Sequence, residues 1–113
     1  MNIIINGTEY PLATTLRVAY MVQGQFNHKS YSEVFKDLGE MTLEQQISIV
    51  YCAFKCANPD QAKFMTQQAF LDYYLDNFNL KELMDQLQLL IKKIMGVEDD
   101  VDTVAEESVA EGN

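Results

Sequence analysis

Apolar and polar positions alternate with a period of two at the start of this chain and with a period of three to four nearly everywhere after residue 13. The opening stretch NIIINGTEYPL sets Asn6-Gly7 between two short strand-like runs. Asn-Gly suits a two-residue type I′ turn, because both central residues must take positive φ. With that turn Ile5 pairs with Thr8, Ile3 with Tyr10 and Asn2 with Pro11. Ile3, Ile5, Tyr10 and Leu12 then lie near one face, and Ile4, Glu9 and Pro11 on the other. A β-hairpin is therefore predicted over residues 2–12. Because an isolated hairpin is marginal in water, its apolar face calls for a cover, and the helices that follow are the obvious one.

Helical spacing predicts five such helices. The first spans about 15–25, capped by Thr14 or Thr15, with Leu16, Ala19, Tyr20 and Gln23 on one side and Val18, Met21 and Val22 on the adjoining one. After a polar loop, Ser30 and Glu33 form a capping-box pattern that opens a short helix at 31–38, which Gly39 is placed to end in the left-handed conformation. Thr42 with Gln45 repeats the starting signal before a helix at 43–57 that is apolar on most sides, the mark of a central helix. Asn58-Pro59 closes it. A short turn over 60–64 leads to Thr66, the cap of a helix at 66–77 dense in aromatic residues. Asn79 with Glu82 opens the last helix, 80–95, whose Leu80, Leu83, Leu87, Leu90 and Ile94 recur at spacings of three and four. Lys92 and Lys93 complement the dipole of its last turn, and Gly96 stops it. The fold class that follows is mainly α (α+β): an N-terminal β-hairpin packed on a compact bundle of about five helices. Residues 1–96 form one globular domain, followed by an acidic flexible tail at 97–113.

Charge sharpens that division. The formal net charge is −9, yet residues 97–113 hold seven acids and no base, while residues 1–96 hold ten acids and eight bases, a net of only −2. Like charges without aromatics favour a solvated, disordered tail. A basic patch able to neutralise phosphates is not visible in the body, which argues against a nucleic-acid partner. No window approaches the roughly 18 to 20 apolar residues of a membrane span, and the first residues lack a basic n-region. The expected location is the cytoplasm.

Candidate chemistry is sparse. Cys52 and Cys56 lie four apart in an apolar helix, with His28 the sole additional N/S ligand, so they read as core side chains. His28 stands in a polar loop beside Ser30 and Ser32 without the acid that would orient a catalytic base. Asp72, Asp76, Asn77, Asn79, Glu82 and Asp85 are oxygen-rich but break the EF-hand spacing: from Asp76 the third position is Phe78, and no central glycine follows. Five scattered glycines make no phosphate-binding loop. No catalytic, cofactor or metal residue is assigned, and the expectation is a protein that is not an enzyme. Six methionines and twelve Tyr and Phe residues exceed what a body of this size readily buries, which favours partner binding or self-association.

The order of these elements carries a resemblance. INGTEY, LRVAYMV, TLEQQISIVYCAFKCANP, MTQQAFLDYYLDNF and a final amphipathic helix with a charged end occur in sequence over residues 1–95. Together they resemble the small tail assembly chaperones of long-tailed bacteriophages, or prophages, of Gram-positive hosts. The resemblance implies a non-enzymatic protein of the host cytoplasm, absent from the mature virion. It would bind the tape-measure protein, keep it soluble and help recruit the major tail (tube) protein; in many such phages a ribosomal frameshift also makes a longer form. A helix-in-groove contact suits such a partner, and the candidate surface is Phe70, Tyr73, Tyr74, Phe78, Leu83, Met84, Leu87 and Ile91. The first strand, Ile3, Ile4 and Ile5, has no charge to guard its edge, so it is expected either to lie under a helix or to join copies into a homo-oligomer. An alternative is an acidic DNA mimic or another phage inhibitor or adaptor acting through protein–protein binding. Mimicry needs carboxylates spread over a folded surface, and deleting 97–113 would abolish it while leaving tape-measure binding largely intact.

Overall fold

The computed structural model describes residues 1–96; the predicted acidic tail, 97–113, lies outside the described residues. Strands β1 (Asn2–Ile5) and β2 (Thr8–Pro11) pair antiparallel with Ile5 opposite Thr8, Ile3 opposite Tyr10 and Asn2 opposite Pro11. Asn6 (φ 52°) and Gly7 (φ 81°) supply the two positive dihedrals of the turn. The Leu12 N–H donates to the Met1 carbonyl at 2.7 Å and extends the ladder by one pair. Alternation buries Ile3, Ile5 and Leu12 and leaves Ile4 outside.

Five helices follow: α1 (Leu16–Gln25), α2 (Tyr31–Lys36), α3 (Leu43–Ala57), α4 (Gln67–Asn77) and α5 (Leu80–Met95). The starts of α2, α3 and α5 carry full capping boxes, Ser30 with Glu33, Thr42 with Gln45 and Asn79 with Glu82. Thr66 caps α4 by accepting from the Ala69 N–H. Thr15 occupies the cap of α1 without a side-chain hydrogen bond. Gly96 is left-handed (φ 77°) and its N–H returns to the Lys92 and Lys93 carbonyls, ending α5.

One terminus departs from the sequence reading. The helix predicted over 31–38 ends at Lys36, and Gly39 does not take the left-handed conformation. A single 3₁₀ turn at Leu38–Glu40 replaces it: the Asp37 N–H reaches the Glu33 carbonyl, and the Glu40 and Met41 N–H groups reach those of Asp37 and Leu38. With the Glu33 carbonyl met four residues on and those of Asp37 and Leu38 three residues on, the chain leaves α2 without a left-handed glycine. That conformation occurs earlier, at Asn27 (φ 59°) and His28 (φ 61°), where the His28 N–H donates to the Gln23 carbonyl at 2.7 Å and turns the chain out of α1.

Helix α3 is the centre. Every residue from Gln46 to Phe54 is buried, and α1, α4, α5 and β2 all pack against it. Its buried polar groups have partners, as burial requires. Gln46 Nε2 donates to the Leu38 carbonyl at 3.0 Å, and Ser48 Oγ to the Gln45 carbonyl at 2.6 Å. At the far end the Asn58 Nδ2 donates at 2.9 Å to both the Pro11 and Phe54 carbonyls. Asn58 thereby fixes the second strand of the hairpin to the last turn of α3.

An aromatic cluster joins hairpin, α3 and α4. The Phe54 ring lies 5.5 Å from Tyr10, 5.4 Å from Phe70 and 6.0 Å from Tyr51. Phe70 continues to Tyr74 at 6.0 Å, and Tyr74 stacks on Phe78 at 4.1 Å with 14° between the rings. Such contacts add about 0.5–1.5 kcal/mol each beyond area burial. Two hydroxyls at the cluster's rim find acceptors: Tyr51 donates to the Met65 carbonyl at 2.9 Å and Tyr74 to Gln86 Oε1 at 2.6 Å. Burial, and secondarily the nearby Glu82 carboxylate, holds the Tyr74 phenol well above its ordinary titration range. It is a fixed donor.

Candidate partner-binding surface

The aromatic and leucine positions proposed from sequence divide into two groups. Phe70, Tyr74, Leu83 and Leu87 are buried in the core; Phe70 and Leu87 offer no surface, which corrects the reading for those two, whereas Tyr74 and Leu83 reach the floor of the groove described below. The reason is the phase of α4 and α5: Phe70 and Tyr74, four apart, face α3, while Leu83, Leu87 and Leu90 form the inward row of α5. Tyr73, Phe78, Met84 and Ile91 are half-buried and pack against the outside of that core, Ile91 excepted from its main cluster.

The ends of three helices make a different surface. The start of α3, the end of α4 and the start of α5 enclose an apolar groove of about 290 Å³. Ile47, Tyr74 and Leu83 are its buried floor, and Phe78 and Asn79 bridge α4 to α5 along it. Three leucines form its lip, exposed to 48% (Leu43), 48% (Leu75) and 64% (Leu80). Local sequence sets this geometry. Leu43 and Leu80 each follow a capping residue directly, Thr42 and Asn79, and sit at the first helical position, where the side chain has no preceding turn to lie on. Leu75 belongs to a second row on α4, Leu71 and Leu75, four residues apart and offset from the buried Phe70–Tyr74 row, with Phe78 just past the helix end. None of the three lip leucines was among the sequence candidates. The second row on α4 and the two leucines immediately after caps were the signals that mark them.

At the hairpin, the three isoleucines also separate. Ile3 and Ile5 are core side chains, whereas Ile4 is 59% exposed beside Glu9 on the outer face. The residues flanking a two-residue turn exchange hydrogen bonds, so Ile3 and Ile5 direct their backbone polar groups at β2 and those of Asn2 and Ile4 point to the outer edge of β1. Just past the strand, the Asn6 N–H donates to the Tyr73 hydroxyl at 2.9 Å, so α4 covers the turn end of that edge. Asn2 Nδ2 donates to the Glu9 carboxylate at 2.7 Å across the strands.

The cysteines and the histidine occupy separate places. Burial, with a smaller contribution from Cys56, pushes the Cys52 thiol up to about 12. Burial also raises Cys56, against the opposing pull of Arg17 and Lys55, and its Sγ lies 3.0 Å from Met21 Sδ. Neither is a thiolate near neutral pH. His28 lines a shallow cavity with Tyr20, Met21, Gln23 and Gly24, a set without a nucleophile or carboxylate. Among the described residues no three His, Cys, Asp or Glu side chains gather in a way that would hold a metal ion. No helix among them is long and apolar enough to cross a membrane.

No family model, curated protein or solved structure matches this chain.

Proposed function

We propose that this chain is a tail assembly chaperone of a long-tailed bacteriophage or prophage, acting by binding rather than catalysis. In this reading it covers apolar helical faces of the tape-measure protein in the host cytoplasm, keeps that long chain soluble and helps bring tail-tube subunits to it. The observation that carries the reading is the groove at the ends of α3, α4 and α5, where three half-exposed leucines stand over a buried aromatic and aliphatic floor. A groove of this form accepts an amphipathic helix. The order of hairpin and helices on which the resemblance rests is also the order of elements in the fold.

Energetics say how such a chaperone works. Completing the burial of Leu43, Leu75 and Leu80, about half or more exposed, gives roughly 1–1.5 kcal/mol apiece and about 3–4.5 kcal/mol together. Micromolar affinity needs about 8 kcal/mol. One groove is therefore a weak site, and useful retention comes from further contacts or from many copies along one long helical chain. Co-expression tests the proposal. A tape-measure protein from the same genome should shift from the insoluble to the soluble fraction and co-elute with this protein on size exclusion. Continued insolubility with no shared peak would contradict it.

A further inference from the structure

Resting on that reading, we infer the chemistry of the segment that enters the groove: an amphipathic helix whose aliphatic row is flanked by lysine or arginine, its cationic side lying against the C-terminal end of α4. The charge around the groove is one-sided. Helix α4 has no basic residue in its last turn, and Asp76 stands exposed there with Asp72 exposed one turn earlier. The helix ends on Phe78 in an extended conformation, not a left-handed cap. Only the Tyr74 and Tyr73 carbonyls of that end are matched, by the Phe78 N–H and by Asn77 Nδ2, and no donor among the described residues reaches those of Leu75, Asp76 and Asn77. Unmatched carbonyls and the negative end of the helix dipole thus add to two carboxylates beside the Leu75 lip.

The two helix starts at the groove do not offset this. Glu44 lies in the first turn of α3 and Glu82 in that of α5, where its carboxylate accepts from the Asn79 N–H at 2.8 Å. Each spends its charge on the positive end of its own helix. Lys81, next in the chain after the Leu80 lip, is paired with Asp85 at 2.7 Å. An incoming cation near the last turn of α4 meets carboxylates and carbonyl oxygens, and that turn itself carries no basic residue. The chain's own residues 97–113, with seven acids and no base, carry the wrong sign to fill the groove.

The test uses the full chain and a labelled model peptide of about fifteen residues, roughly four turns, with leucines at helical spacing between lysines, and a twin with glutamates replacing the lysines. By fluorescence anisotropy the lysine peptide should bind at least about tenfold tighter than its twin and weaken as salt rises from about 0.1 M to about 0.5 M. Leu80→Glu and Asp76→Lys should each weaken it about tenfold or more, whereas Tyr20→Glu, on exposed α1 surface outside the groove, should leave it unchanged. Equal binding of the twins, no binding of either, or indifference to Leu80→Glu would overturn the inference. So would sedimentation showing that a second copy occupies the groove, as a dimer that Leu80→Glu dissociates and the peptide cannot enter. Repeating the tape-measure co-expression separates the two claims. If wild type and Leu80→Glu both solubilise the partner, the chaperone reading stands and the groove falls; if wild type fails, the reading itself falls.

Discussion

Replacing Phe70 with alanine should damage the fold itself, because this ring lies at the meeting point of α3 and α4. It is almost wholly buried, with the rings of Tyr51, Phe54 and Tyr74 at 5.2, 5.4 and 6.0 Å. Large-to-small changes at such sites cost about 3–5 kcal/mol, the sum of lost transfer energy and the cavity left behind. A domain of 96 described residues is stabilised by about 5–14 kcal/mol in total. At about 4–5 °C per kcal/mol for this size, the variant should melt roughly 12–25 °C below wild type. Leu75→Ala, on the groove's lip, should cost about 1 kcal/mol or less, since half of that side chain already meets water. Urea unfolding followed by far-ultraviolet circular dichroism measures both. Where Phe70→Ala is too unstable to purify, Phe70→Leu supplies the comparison with a loss of about 1–1.5 kcal/mol. A loss below about 1 kcal/mol for Phe70→Ala, equal to that of Leu75→Ala, would refute the placement of the ring in the core.

Three further outcomes follow from the same geometry. Asn58→Ala removes two donated bonds that fasten β2 to α3 and should lower stability by about 2 kcal/mol; hydrogen exchange should then show the Ile3 and Ile5 amides opening more than those at the centre of α3. The folded value of Cys52, about 12, lies above its ordinary 9.0, so the native state holds the proton longer and stability is full below about pH 9, falling as pH rises towards 12. Urea midpoints should correspond to about 2 kcal/mol less at pH of about 10.5 than at about 8, and Cys52→Val should flatten much of that slope. Ile4→Lys should leave the fold within about 0.5 kcal/mol of wild type, since the side chain faces water, and should weaken any assembly through the β1 edge; sedimentation that shows unchanged assembly would remove that edge from consideration.

Local signals carried most of the fold. The hairpin register followed from Asn6-Gly7 alone, because only one pairing is compatible with a two-residue turn. The starts of α2, α3 and α5 followed from cap residues three positions ahead of Glu or Gln, which satisfy orphan N–H groups. Gly39 shows the limit of that reasoning: a glycine permits a left-handed cap but does not require one, and here the chain continues into a 3₁₀ turn instead. The candidate surface was legible only in its neighbourhood. Aromatic density on α4 pointed at the right helix, yet Phe70 and Tyr74 are dense because they fill the core against α3. Which stripe of a helix with two apolar rows faces inward depends on the neighbours it meets in space, and the chain does not state those locally. Leu43, Leu75 and Leu80 come from three helices and form one groove only after α3, α4 and α5 are packed.

Hydrogen exchange on the co-purified complex with the tape-measure protein reads out whether the groove is where the partner sits. The first-turn amides of α3 and α5 include N–H groups without an intrahelical partner, and the last turn of α4 is a helix end open to fraying, so all three segments should exchange faster in the free protein than the centre of α3. These three segments, around Leu43, Leu75 and Leu80, should become protected together on binding, while the hairpin and the exposed face of α1 exchange as before. A complex that protects other segments and leaves these three unchanged, or the failure of any complex to form, would contradict it.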